Sequence, residues 1–115
     1  FREIQPLIKA RRLHGISHIT GGGLVDNTSR VIPAGLCAEF RRGTWEVPPL
    51  FQFLQSLGIA EDEMYRVFNM GVGMVLIVDP ADVGHVSSEL ARAGLETARI
   101  RTVVAEKTGI RSRLL

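Results

Sequence analysis

The chain has 115 residues, of which 45% are hydrophobic and 23% charged, and its formal net charge is +2 at pH 7. This composition is typical of one soluble globular domain with a hydrophobic core. The small net charge gives no electrostatic case for nucleic acid, and the apolar runs are too short to span a bilayer, so we expect neither nucleic acid nor a membrane as a partner.

The apolar pattern predicts helices interleaved with strands. Ile4, Leu7 and Ile8 recur near helical spacing, and Pro48-Pro49 suits the first turn of a helix. In the first strand, Ile16 and His18 share one face. The predicted elements, in chain order, are helix 1–12, strand 15–19, helix 24–31, strand 35–40, helix 48–57, helix 61–68, strand 73–78, helix 83–93 and strand 98–104.

The strands near the end of the chain differ in pattern. Residues 73–78 are almost continuously apolar, which predicts a central strand buried on both faces. Residues 98–104 alternate with arginines, which predicts a half-exposed strand at a sheet edge. Residues 99–115 are basic, and two interpretations stay open: a tail that meets a phosphate or RNA, or, as we favour, a solvated final strand with a frayed terminus.

Three consecutive glycines, Gly21, Gly22 and Gly23, follow the first strand directly. Residues without a Cβ let the backbone approach a ligand closely. The segment matches neither the P-loop nor the dinucleotide-binding pattern. A ligand-binding loop and a tight turn without a ligand therefore both remain open.

Several blocks of sequence together resemble one known family. They are His18-Ile19-Thr20-Gly21-Gly22-Gly23-Leu24, Asn27, Arg30-Val31-Ile32-Pro33, Trp45-Glu46-Val47-Pro48 and Met64-Tyr65-Arg66-Val67-Phe68-Asn69-Met70-Gly71-Val72-Gly73-Met74. In this order, over residues 4 to about 104, the chain resembles the C-terminal domain of phosphoribosylformylglycinamidine cyclo-ligase, also called aminoimidazole ribonucleotide synthetase. On this resemblance, residues 1–115 are expected to be that domain, as a fragment without the N-terminal ATP-binding domain.

The resemblance implies an α/β (α+β) fold, a three-layer α/β/α domain with a mixed sheet of at least four strands that is partly ferredoxin-like. It implies a cytoplasmic ligase of purine biosynthesis that closes the imidazole ring of formylglycinamidine ribonucleotide. The cofactors implied are ATP and Mg²⁺, bound mainly by the N-terminal domain. The partners implied are the nucleotide substrate and that N-terminal domain, in a parent protein that is a homodimer.

The resemblance also implies roles for individual residues. His18 is the expected catalytic residue, through a hydrogen bond to the reacting group or a proton transfer, and its alternative is a core histidine that only fixes the loop. The residues expected to bind substrate or phosphate are Thr20, Gly21, Gly22, Gly23, Asn27, Asn69 and Gly71.

Each binding residue has a structural alternative. Thr20 could satisfy a loop carbonyl instead, and Asn27 could be a surface helix residue. For Asn69 and Gly71, a plain helix-to-strand turn is favoured. The remaining histidines and the single Cys37 have no metal-ligand spacing, so no metal site is expected on this chain.

Two other functions remain open at this stage. The chain could belong to a sibling in the same ATP-using superfamily, such as formylglycinamidine synthetase or selenophosphate synthetase. It could instead be a non-catalytic domain that binds a phosphorylated ligand or a partner protein. A binding module would keep its ligand affinity alone, whereas half of a composite site would bind weakly.

Overall fold

A computed structural model describes residues 2–115 apart from the side chain of Arg101, so the first residue of the predicted 1–12 helix lies outside the described residues. Every predicted helix and strand is present in type. The elements are α1 (Gln5–Lys9), β1 (Gly15–His18), α2 (Gly23–Ser29), β2 (Leu36–Phe40), α3 (Pro49–Ser56), α4 (Glu61–Val67), β3 (Met74–Ile77), α5 (Val83–Arg92), β4 (Arg101–Ala105) and β5 (Ser112–Leu114). Of the helices within residues 2–115, none has both the length and the apolar character needed to cross a bilayer.

The chain divides into two compact units. The first unit runs up to Ile16 and includes Leu76–Ala98, so it contains α1 and α5. Its buried side chains include Leu7 from α1 and Leu90 from α5. The second unit comprises Ser17–Val75 and Arg99–Leu115, and it contains all the residues expected to form the site.

The first helix is shorter than the predicted 1–12 helix. Pro6 lies in its first turn, and the backbone of Arg11 adopts a left-handed conformation with φ of 55° just after its last turn. The amides of Arg11 and Arg12 turn back to the carbonyls of Ile8 and Leu7, each at 3.0 Å. This pattern ends the helix at Lys9.

The α+β class is confirmed, but the strands form two sheets and not one mixed sheet of at least four strands. Within residues 2–115, β1 pairs with β3, and β2 lies between β4 and β5. The β2–β4 pair is antiparallel and the β2–β5 pair is parallel, so this sheet is mixed. Because β5 takes the second edge of β2, that edge is not available to β1 or β3. The three layers and the partial likeness to ferredoxin remain predictions.

The prediction that residues 73–78 form a central strand buried on both faces is wrong. Among the described strands β3 pairs with β1 only, and Val75 is its one buried residue. A continuous apolar run reports the character of the side chains and not the position of the strand in a sheet. The expectation for the last predicted strand is confirmed, since β4 lies at an edge.

The frayed C-terminus expected from the basic composition is also wrong. Residues Ser112–Leu114 form β5, and the amide of Leu115 donates to the carbonyl of Phe40 at 2.7 Å. The Arg113 guanidinium pairs with Glu39 at 2.7 Å and with Glu106 at 2.6 Å. A strand of three residues is too short for its alternation to be visible in the sequence.

Helix α2 fixes the start of the candidate site. It lies against α4, β5 and β2 within the second unit, and its buried residues include Leu24 and Thr28. The apolar face that begins at Leu24 therefore anchors the helix, and the glycines that precede it are held at the surface of this unit.

Candidate functional site

The glycine loop, residues 20–23, connects β1 to α2. Its last residue, Gly23, has φ of 74°, and a Cβ there would overlap the backbone carbonyl oxygen of Tyr65 on α4. Only glycine fits this position, because α2 and α4 approach each other closely there. Gly23 is thus required by packing, whatever else the loop does.

The outer part of the loop is open. Gly21 is exposed, and a Cβ built on it would meet no atom within 4 Å. Among residues 2–115, no backbone carbonyl accepts a hydrogen bond from the amide of Gly21 or Gly22. Packing therefore does not require a glycine at position 21.

Asn27 holds the glycine loop from inside the protein. Its side chain is one turn beyond Gly23 on α2, and side chains on a helix lean toward the N-terminus, which brings the amide over the loop. The Asn27 Nδ2 atom donates to the carbonyl of Gly23 at 2.7 Å, of Thr20 at 3.2 Å and of Gly21 at 3.3 Å. Asn27 is only 5% exposed, so the interpretation as a surface helix residue is wrong.

Thr20 completes this hydrogen-bond network. Its hydroxyl donates to the Oδ1 atom of Asn27 at 3.2 Å, and not to a loop carbonyl. Both polar ends of the Asn27 amide are therefore occupied within the loop, and the loop conformation is set without any ligand.

His18 is exposed at the end of β1, two residues before the loop. Its neighbours Ser17 and Ile19 are each 3% exposed, which confirms the predicted alternation of the strand. The structure adds that His18 is on the exposed face. The alternative of a core histidine is wrong. An imidazole on the surface beside a bare backbone loop is accessible to a ligand.

A second turn, residues 69–73, precedes β3. The Asn69 Oδ1 atom accepts from the amide of Gly71 at 2.9 Å, and the amide of Val72 donates to the Asn69 carbonyl at 3.0 Å. The Trp45 indole donates to the carbonyl of Met70 at 3.1 Å. Gly71 has φ of 93°, and a Cβ there would overlap the ring of Pro48. The contacts of Asn69 and Gly71 are those of a packed turn, as the favoured alternative predicts.

The two turns meet at neighbouring strand ends. The amide of His14, before β1, donates to the carbonyl of Ile77 at 2.7 Å, and the amide of Ile19 donates to that of Gly73 at 3.0 Å. The two strands therefore run antiparallel, so the end of β1 lies beside the start of β3. This pairing brings His18 and the glycine loop next to the 69–73 turn.

An open groove of about 400 Å³ adjoins the glycine loop at Gly22. The Arg42 guanidinium in it lies 2.9 Å from Asp62 and 4.9 Å from the centre of the Tyr65 ring. Burial raises the pKa of the Tyr65 phenol, so this hydroxyl stays neutral at physiological pH. This groove was not predicted from the sequence, because its residues come from four separate segments. Its lining includes Gly22, Asp26, Arg42, Tyr65, Arg66 and Arg111.

A family model described as "AIR synthase related protein, C-terminal domain" matches residues 1–112. The chain belongs to this family. The resemblance found in the sequence blocks is therefore confirmed, and the match takes in both glycine-rich turns.

Three curated relatives of this AIR synthase related domain share a name. The phosphoribosylformylglycinamidine cyclo-ligase of Methylobacillus flagellatus is 45% identical over 109 residues, which is 94% of this chain and 32% of that protein. The enzyme of that name from Bordetella petrii is 48% identical over 98 residues, 84% of this chain and 28% of its own length. That of Desulfitobacterium hafniense is 44% identical over 110 residues, 95% of this chain and 32% of its own. The chain spans about a third of the length of the curated relatives it matches.

Within residues 2–115, no three His, Cys, Asp or Glu side chains come together in a group that could hold a metal ion. Cys37 is buried, and burial raises the pKa of its thiol, so it is a small hydrophobic residue in the core of the second unit.

Proposed function

We propose that this chain is the C-terminal domain of a cyclo-ligase that closes the imidazole ring of formylglycinamidine ribonucleotide, with ATP converted to ADP and phosphate, in purine biosynthesis. The observation that carries the proposal is the 44–48% identity to cyclo-ligases over most of this chain. The preformed glycine loop beside an exposed histidine supports it.

In this proposal the glycine loop binds a phosphate or substrate oxygens. The substrate carries a phosphate on its ribose, and backbone amides fixed before binding stabilise an anion without further ordering of the protein. Gly21 and Gly22 supply those amides, while Asn27 and Thr20 keep the loop in place through the hydrogen bonds between them. Asn27 is then a positioning residue, since its side chain is fully engaged with the loop.

His18 acts on the reacting group. Ring closure forms a bond between an amidine nitrogen and the formyl carbon, breaks the bond from that carbon to the formyl oxygen, which would leave as phosphate, and releases a proton from the nitrogen. An imidazole is suited to accept or donate such a proton near neutral pH. The exposed position of His18 at the end of β1, two residues before the glycine loop, supports this role.

The remaining parts of the proposal concern the parent protein. ATP and Mg²⁺ are held mainly by a separate N-terminal domain, and two copies of the parent form a homodimer in the cytoplasm.

The test is turnover by the full-length parent. We expect ADP release and aminoimidazole ribonucleotide formation that both depend on formylglycinamidine ribonucleotide, with neither from this chain alone. A parent without this turnover would overturn the cyclo-ligase assignment in favour of a superfamily sibling or a binding domain.

The role of His18 has a matched control in the same strand region. His18→Ala in the parent should lower kcat/KM at least 100-fold, the usual size of a lost acid–base contribution. His14→Ala removes another exposed histidine, just before β1, and should leave kcat/KM within threefold. Equal effects of the two substitutions would contradict the catalytic role.

A further inference from the structure

Helix α3 exposes a large apolar face. Leu50 is 61% exposed, Phe53 59% and Leu57, directly after the helix, 66%. Their spacing of three and four residues places them on one side of the helix. Together they form the α3 face, which we define as the side chains of Leu50, Phe53 and Leu57.

Within the second unit, only apolar side chains beside the α3 face are partly covered. Phe51 and Leu54 are half-buried on the adjoining side of the helix, and the Phe51 ring lies 6.0 Å from that of Phe68. The helix contributes no buried residue at all. Packing within the unit therefore accounts for Phe51 and Leu54 but leaves the α3 face in water.

The segment around the face also lacks charge. Residues 47–60 contain no Asp, Glu, Lys or Arg, in a chain in which 23% of the residues are charged. Solvent-exposed helices normally carry charged side chains on their outer face, and depletion of charge marks the core of a protein interface. The composition of the segment is that of a covered surface.

We propose that the α3 face packs against the rest of the polypeptide that carries this domain in the full-length protein. The inference rests on the proposed function in taking the chain as one domain of a longer protein. In the cyclo-ligase relatives, roughly two thirds of the length lies outside the match, and the match itself includes the region of α3.

The size of the face favours a tethered occupant over a second copy of this chain. A stable interface between separate proteins takes about 20 to 30 residues from each partner. The α3 face offers three large side chains. A domain on the same polypeptide is already held at high effective concentration, so a small apolar contact is sufficient to dock it.

Thiol labelling of Phe53→Cys tests the proposal, with the labelled site read by peptide mass spectrometry. The native Cys37 is buried and does not interfere. We expect the new thiol to react readily in this chain and at least tenfold more slowly in the full-length protein. Lys107→Cys, in an exposed turn, is the control and should react within twofold of the same rate in both. Leu50→Cys repeats the measurement should the first variant fold poorly.

Two results would overturn the inference. One is equal labelling of Phe53→Cys in the chain and in the full-length protein. The other is protection in the isolated chain that grows with its concentration, which would make a second copy the occupant. Protection in a full-length protein without cyclo-ligase turnover would refute the proposed function and support the docking surface.

A charge substitution supplies an independent measurement. Phe53→Glu should leave the isolated chain folded, because the side chain is in water there. In the full-length protein it should increase protease cleavage between the domains at least fivefold. Gln55→Glu places the same charge on the polar side of the same helix. It should change neither the folding of the isolated chain nor the protease cleavage of the full-length protein. Equal cleavage in the two variants would contradict the proposal.

Discussion

The glycine loop follows the end of β1, and the 69–73 turn precedes the start of β3. Both contain glycines, but the surroundings of these glycines differ. In the loop, Gly21 faces open space and the fixing contacts come from Asn27 beneath it. In the turn, Gly71 is in contact with Pro48, and its fixing contacts come from Asn69 and Trp45. Packing requires glycine at position 71, whereas it does not require glycine at position 21.

The largest effect on stability is expected at Gly23, where a Cβ would overlap backbone atoms. Gly23→Ala should lower the free energy of unfolding by about 2 to 5 kcal/mol, because a left-handed conformation and overpacking each add to the cost. Urea denaturation of this chain measures it. Gly71→Ala should lower the free energy of unfolding by a similar amount, because its Cβ would overlap Pro48. Gly73→Ala is the control, because a Cβ at position 73 would meet no other atom within 4 Å. Equal stability of all three variants would contradict the packing argument.

The next largest effect separates the two asparagines. Asn27→Ala removes four hydrogen bonds of a buried amide, one accepted from Thr20 and three donated to carbonyls, and should cost about 2 to 3 kcal/mol. Asn69→Ala removes the single bond to the amide of Gly71 and should cost about 1 kcal/mol. The same urea titration compares them. A reversed order would mean that the loop is not held from beneath by Asn27.

A smaller effect is expected at Trp45. Trp45→Phe keeps an aromatic ring beside Tyr65 but removes the donor to the Met70 carbonyl, which should cost about 1 kcal/mol. Thermal unfolding of the two proteins measures the difference. No loss of stability would show that the indole hydrogen bond does not hold the 69–73 turn.

The smallest effect on stability is expected for Gly21→Ala, within about 0.5 kcal/mol, because a surface substitution with free space changes little. In the full-length parent the same methyl group would obstruct the ligand, and kcat/KM should fall at least tenfold. Gly73→Ala, also in open space, should keep kcat/KM within threefold. Full activity of Gly21→Ala would remove the basis for a ligand at the loop.

The local sequence predicted the structural features that depend on residues close together in the chain. The types of all the helices and of β1 to β4 follow from apolar spacing, proline and glycine. The alternation of the first strand placed His18 on the face opposite Ser17 and Ile19, but only the structure showed that this face is exposed. The candidate site residues were expected from the family resemblance. The short β5 was missed because three residues carry no periodic signal.

What the sequence by itself determined is the set of elements other than β5, the family and the two glycine-rich turns, because each is recorded in residue type and short-range spacing. Only the tertiary structure decided which strands pair, that Asn27 is buried beneath the loop, and that Gly23 and Gly71 are fixed by packing while Gly21 is open. These properties depend on contacts between residues far apart in the chain, and apolar periodicity does not encode the partner of a strand or the neighbour of a glycine.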